Sequence, residues 1–183
     1  GDGSVNHAEI TAAREVAPMI VAEFSRAGYV SSSVSADARG SNAACIYFGH
    51  WAAQVANGVA RTVMAPTGSL LADLRTAGVL NRKHIPAVYL RASQAQRLAL
   101  LQGLMDTDGY AGPGNSLCEF TSIDEVLAKS VHELAVSLGL KATTYQGRAT
   151  IDGRDCGPKY RVCFYAMIPV FRLAHKLAKQ KPP

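Results

Sequence analysis

The chain has 183 residues, 48% of them hydrophobic, a formal net charge of +5 and a pI near 9.1. That length suits one sizeable domain or two fused subdomains with a packed core. No run of about 18 apolar residues and no secretory pattern occurs, so a membrane span is not expected and a cytoplasmic location is. Cys45, Cys118, Cys156 and Cys163 have no CxxC spacing and no companion His, so reduced thiols are expected rather than zinc.

In chain order, residues 5–11 read as a strand, 12–27 as a helix, and two more strands fall near 29–36 and 43–49. Trp51–Val63 reads as partly helical and Leu70–Ala77 as a short helix, and Pro86 breaks any helix before Ser93. Ser93 with Gln96 is a capping box. It opens a helix whose Leu98, Leu101 and Leu104 keep helical spacing and which stops at Gly109. Gly103 inside that helix costs roughly 1 kcal/mol relative to Ala, which a close helix–helix approach would offset. Residues 116–121 read as a strand. Ser122–Glu125 is a second capping box for a helix running to Leu138 and ended by Gly139. Strands at 141–148 and 158–166 are joined by the turn-rich stretch Ile151–Pro158. Val170–Lys179 reads as an amphipathic helix, with Val170, Leu173, Ala174 and Leu177 on one face.

An internal repeat runs through this pattern. Glu9-Ile-Thr11 recurs as Glu119-Phe-Thr121, and Glu15-Val16, Val21 and Glu23 recur as Glu125-Val126, Val131 and Glu133, all 110 residues on. Gly28 matches Gly139, and Asp2 matches Asp108. Neither half easily buries an apolar helix face alone. The expectation is two pseudo-equivalent units, residues 1–92 and 93–183, that share two acid-ended helices.

The acids are unusual. Asp106 and Asp108 lie in the last turn of the 93–109 helix, where the dipole disfavours negative charge by about 0.3–1 kcal/mol. Positions i and i+2 point apart, so the two do not form a dyad. A carboxylate there is explained if a cation meets it, such as Mg²⁺ held by one or two carboxylates, waters and phosphates. The plain alternative is a pair of solvated acids at a frayed end.

Leu101-Gln-Gly-Leu-Met-Asp-Thr-Asp-Gly109 resembles the LAGLIDADG (dodecapeptide) motif of homing endonucleases, with Met105 in place of Ile. Gly1-Asp2-Gly3 resembles the tail of a first copy whose helix would precede Gly1. Asn81–Pro86, Tyr89–Ser93 and Lys159–Phe164 resemble further endonuclease blocks of inteins, especially actinobacterial ones such as those interrupting replicative DNA helicases.

The resemblance implies an α+β fold of two pseudo-symmetric αββαββα repeats with a saddle-shaped antiparallel sheet, monomeric, covalently part of an intein-containing host protein. It implies a site-specific endonuclease acting on double-stranded DNA. Asp2 and Asp108 would hold Mg²⁺, and Lys83 and, less directly, Lys159 would offset phosphate charge or orient water. A β-ribbon fits the major groove. Candidate base readers are Thr144, Gln146, Arg148 and Arg161, with Ser33, Ser35, Asp37 and Arg39 in the first half. The plain reading of each is a solvent-facing strand residue. The net charge agrees with a phosphate-bearing partner. The run Arg172, Lys176, Lys179, Lys181 reads instead as a solvated helix face.

Other readings remain beside this one: an inactive DNA-binding relic or structural insert of a protein-splicing intein, an RNA maturase, or a transcription regulator on the same fold. The chain begins Gly-Asp and ends Lys-Pro-Pro, so splicing nucleophiles are not expected within it. Lacking the first motif helix, it is expected to cut DNA weakly or not at all.

Overall fold

The computed structural model describes residues 8–36, 42–48, 51–56, 59–64, 69–80, 82–112 and 116–180. The chain divides into two compact units, 1–82 and 83–183. It is an α+β protein whose sheets are all antiparallel.

In the second unit, α3 (Ala87–Leu90) and α4 (Gln94–Asp108) lead into β6 (Gly109–Ala111) and β7 (Leu117–Ser122). Then come α5 (Glu125–Ser137), β8 (Ala142–Ile151), β9 (Arg154–Tyr165) and α6 (Ala174–Leu177). From α4 onward this is the αββαββα order that the sequence implied. The sheet order is β6-β7-β9-β8. The capping box holds: Gln96 N donates to Ser93 Oγ at 3.4 Å, and Ser93 N donates to Gln96 Oε1 at 3.1 Å. The α5 cap is Asp124, whose carboxylate accepts from Leu127 N at 3.0 Å, and not the expected Ser122 box. Helix α5 buries Leu127, Ala128, Val131, Leu134 and Ala135 on the sheet, against Phe120, Val162 and Phe164. Each such aromatic is worth about 3–5 kcal/mol against Ala.

In the first unit, β1 (Ala8–Ala13), α1 (Ala17–Arg26), β2 (Ser33–Ala36) and β3 (Ala43–Phe48) form a sheet of order β1-β3-β2. The helix starts at Ala17 rather than 12 because Pro18 is tolerated only in a first turn. A β-hairpin, β4 (Trp51–Ala56) with β5 (Val59–Met64), replaces the expected partly helical stretch. The missed signal was Asn57-Gly58 between two runs containing Trp, Val and Thr. Helix α2 (Leu70–Thr76) follows. The core of this unit gathers Ala8, Ala17, Ala44, Ile46, Phe48 and Leu70.

The repeat is carried by the register. Ala8 faces Phe48 as Cys118 faces Phe164, and in each sheet the last strand of the strand–helix–strand–strand path sits in the middle. Both α1 and α5 end on a left-handed glycine, Gly28 (φ 90°) and Gly139 (φ 80°). The next amide then reaches back five residues, Tyr29 to Phe24 and Leu140 to Ala135. This closure satisfies the orphan carbonyls of a helix end, and only glycine enters it without strain.

The helix expected over 170–179 is shortened for a packing reason. Residues 170–173 are not helical: Val170 and Phe171 are buried in irregular chain, and only Ala174–Leu177 form α6. Gly109 stops α4 as expected, in an extended conformation (φ −84°). It must be glycine because a Cβ would come within 2.5 Å of the Met105 carbonyl oxygen. At Gly103 a Cβ would meet nothing within 4 Å, so no described element makes the close approach expected there. All four cysteines are free, and burial pushes the Cys118 thiol up to about 11. Among the described residues no helix is long and apolar enough to cross a membrane.

Candidate functional site

The two motif acids have separate environments. Asp106, its side chain only 9% exposed, points back into the fold, and its Oδ1 accepts from the amides of Arg172 (3.0 Å) and Leu173 (3.1 Å). These bonds satisfy the free amides at the start of α6 and fix where that helix begins. Its Oδ2 is buried without a hydrogen-bond partner; Arg172 Nε lies 3.6 Å away, an ion pair too long for a hydrogen bond. Asp108 is exposed, and its one described hydrogen bond is a long one from its neighbour Thr107 Oγ1 at 3.5 Å.

The cation that the helix end requires comes from the chain itself. Lys176 Nζ donates to the main-chain oxygens of Met105, Asp106, Thr107 and Gly109 at 2.8–3.2 Å. It is half-buried, and burial lowers its pKa while the charges of Asp106 and Asp108 act to raise it. The expectation that Lys176 belongs to a solvated face is therefore corrected, and Arg172, paired with Asp106, leaves that face too.

Asp108 sits directly before β6, the edge strand of the second sheet. One face of this sheet is covered by α5. Cross-strand partners share a face, so the register assigns the other, open face. It carries Tyr110, Glu119, Thr121, Thr143, Tyr145, Lys159, Arg161, Cys163 and Tyr165. Arg161, 46% exposed, pairs with Glu119 at 3.5 Å and lies 5.9 Å from the Tyr145 ring centroid. Glu119 also accepts from Thr121 Oγ1 at 3.1 Å. The Lys159 stem runs beside Gly147, where an added Cβ would sit 3.7 Å from it.

The candidate base readers do not share this face. Arg161 is on it. Thr144 and Gln146 pair with Val162 and Tyr160 and so lie on the helix side, exposed because β8 is an edge. Arg148 falls on the same side by register, and its guanidinium is engaged by both carboxylate oxygens of Asp155. In the first sheet Ser33 and Ser35 lie on the open face, with Glu9, Thr11, Cys45 and Tyr47. The registers match Ser33 with Thr143, Ser35 with Tyr145, and Cys45 with Arg161. The candidates taken by alternation thus fall on the helix side in β8 and on the open face in β2, because only the pairing between strands decides which residues share the core face.

The helix carrying the split acids, the four following strands and α5 coincide with a known family: residues 95–163 match the model of the LAGLIDADG-like domain. This segment belongs to that family. The chain is also 41% identical over 109 residues to a replicative DNA helicase, DnaB, of Mycobacterium intracellulare. That match covers 60% of this chain and 19% of the helicase.

Of the two motif acids in the LAGLIDADG-like domain, Asp108 is open to solvent. Asp106 is not, since main-chain amides occupy it. Among the described residues no three His, Cys, Asp or Glu side chains gather into a metal cluster. One exposed carboxylate fits the hard-cation mode in which water and phosphate supply most ligands. Lys83 is exposed in the loop before α3. Asp2, Asp37 and Arg39 lie outside the described residues. Sequence reasoning missed Lys176, Glu119 with its counterpart Glu9, and Tyr145. The Glu pair was legible as part of the repeat, whereas Lys176 left no local signal.

Proposed function

We propose that the chain is the endonuclease region of an intein, cutting double-stranded DNA at a specific site by Mg²⁺-dependent phosphodiester hydrolysis. The observation that carries this reading is the division of the motif acids. Asp106 is used up by the fold, while Asp108 is left free at the edge of a sheet whose open face offers Arg161, Lys159 and tyrosines. A helix built only for structure gains nothing from an exposed acid at its negative end.

In this reading Asp108 would hold a divalent ion, which would supply an activated water and offset charge on the attacked phosphate. Lys83 and Lys159 offset the remaining phosphate charge. The open face of the second sheet lies along the major groove, where Arg161 addresses guanine and Thr143 and Tyr145 contact bases or backbone; Ser33 and Ser35 offer the first sheet's open face for contacts of the same kind. The 41% identity with part of a replicative helicase supports such a helicase as the host, because a nuclease-like insert would match only a fraction of that longer chain.

The test is incubation of the chain with Mg²⁺ and DNA carrying a helicase gene without the insert. Weak cutting at one position is expected, abolished by chelation and by Asp108→Asn. Specific binding without cutting in both proteins would instead show an inactive relic or structural insert. Absence of both binding and cutting would defeat the reading.

A further inference from the structure

The C-terminal segment does more than close the core. An α-helix leaves its last four carbonyls without intrahelical partners, at an end that carries roughly half a negative charge. Lys176 meets this end of α4 with four main-chain oxygens, those of Met105 (3.0 Å), Asp106 (2.8 Å), Thr107 (3.2 Å) and Gly109 (2.9 Å). An ammonium has three protons, so these oxygens surround it as a shell rather than pairing one to one. The shell brackets Asp108 in sequence. A second tie runs the other way, from the amides of Arg172 and Leu173 to Asp106 Oδ1. The base of the C-terminal segment thus holds the end of α4, and the acid of α4 holds the start of α6. Gln180, buried, secures the same segment: its Oε1 accepts from Val170 N at 3.1 Å, and its Nε2 donates to Ile168 O at 2.7 Å.

We propose that Lys176 is a positioning residue for the Asp108 carboxylate, an internal cation that fixes the backbone from which this acid projects. The proposal rests on the reading of Asp108 as the metal-holding acid. Lys176 does not itself meet a phosphate, because its protons are engaged by the main chain. Its ammonium also offsets the carbonyl cluster, so that the exposed carboxylate is the attractive point for an added cation at this helix end.

The test uses the whole chain as Lys176→Ala, Lys176→Met and Lys176→Arg. Hydrogen exchange is read at residues 105–109 and, as control, in β7 and β9, together with the Asp108 carboxyl carbon resonance. Loss of charge-assisted bonds to several carbonyls should speed exchange at 105–109 by about tenfold or more. The Asp108 resonance should broaden while the strand amides hold. Ammonium chloride should restore Lys176→Ala in part, and tetramethylammonium chloride, too large for the shell, should not. Lys176→Arg should lie between wild type and Met. If the chain cuts DNA, Lys176→Ala should lower kcat while DNA binding stays within about twofold, with the same ammonium rescue. Unchanged exchange at 105–109, no difference between the two salts, or loss of protection throughout the sheet in both Ala and Met variants would overturn the proposal. A wild-type chain that cuts no DNA would count against the endonuclease reading alone, because the exchange and salt measurements decide the role of Lys176 without it.

Discussion

Two aspartates two positions apart on one helix do different work, and the difference is a matter of what surrounds each carboxylate. Asp106 accepts two main-chain amides 66 and 67 residues further along the chain and is nearly buried. Removing it leaves those amides unmatched, and hydrogen bonds to a charged group are worth about 1.5–3 kcal/mol. Asp106→Ala is therefore expected to destabilise the chain by about 2 kcal/mol, seen as a lower denaturant midpoint at unchanged slope. Asp108→Asn, at an exposed position, is expected to stay within about 0.5 kcal/mol of wild type. Equal losses for both substitutions would mean that Asp108 also belongs to the structural framework. The opposite signatures, stability for one and activity for the other, are what the separate environments require.

The β8–β9 hairpin shows how an element is held where no core supports it. It turns at Asp152 (φ 49°) and Gly153 (φ 76°), two left-handed residues of the kind a tight hairpin demands. A bulge between Arg148 and Thr150 shifts the register just before the tip. There the Arg148 guanidinium holds the Asp155 carboxyl below the usual carboxylate range, helped by the amide of Gly157. With the folded value depressed, the carboxylate favours the ordered tip above its unfolded pKa of about 3.9. That contribution is lost as pH falls through the lower, folded value. In a carbon-detected titration Asp155 should therefore titrate below the ordinary carboxyl value, and the tip amides should lose order in the same pH range. Arg148→Ala should move Asp155 back towards the ordinary value, the Gly157 amide keeping part of the shift. No movement of Asp155 in that variant would refute the pairing. Because Arg148 is committed to this pair, reading a base would require it to exchange one partner for another.

At the scale of the whole molecule, each unit carries its own hydrophobic cluster. That of the second unit, from Ile85 through Phe171, lies wholly within residues 83–183. Residues 83–183 expressed alone are expected to fold cooperatively, with the circular dichroism of a mixed sheet-and-helix protein and dispersed amide resonances; a noncooperative melt would show that the cluster needs the first unit. Much of this architecture was legible in the chain. The capping box at Ser93, the glycines at 28 and 139 and the Glu-x-Thr repeat act through nearest neighbours or through a pattern repeated at fixed offset, so they hold wherever the segment lies. They placed most of the elements and the acid-ended helix, though not the β4–β5 hairpin. What they could not decide was how residues distant in sequence meet. Thr144 and Tyr145 are equally plausible strand residues until the pairing with Val162 and Arg161 assigns their faces. Lys176 reads as one more surface lysine until the irregular stretch 170–173 brings it onto α4. The sequence alone determined local geometry and the two-unit plan, because caps, turns and periodicity are short-range. Only the tertiary structure decided which face is open, which acid is free and which lysine is spent inside the fold, because each depends on partners many tens of residues away.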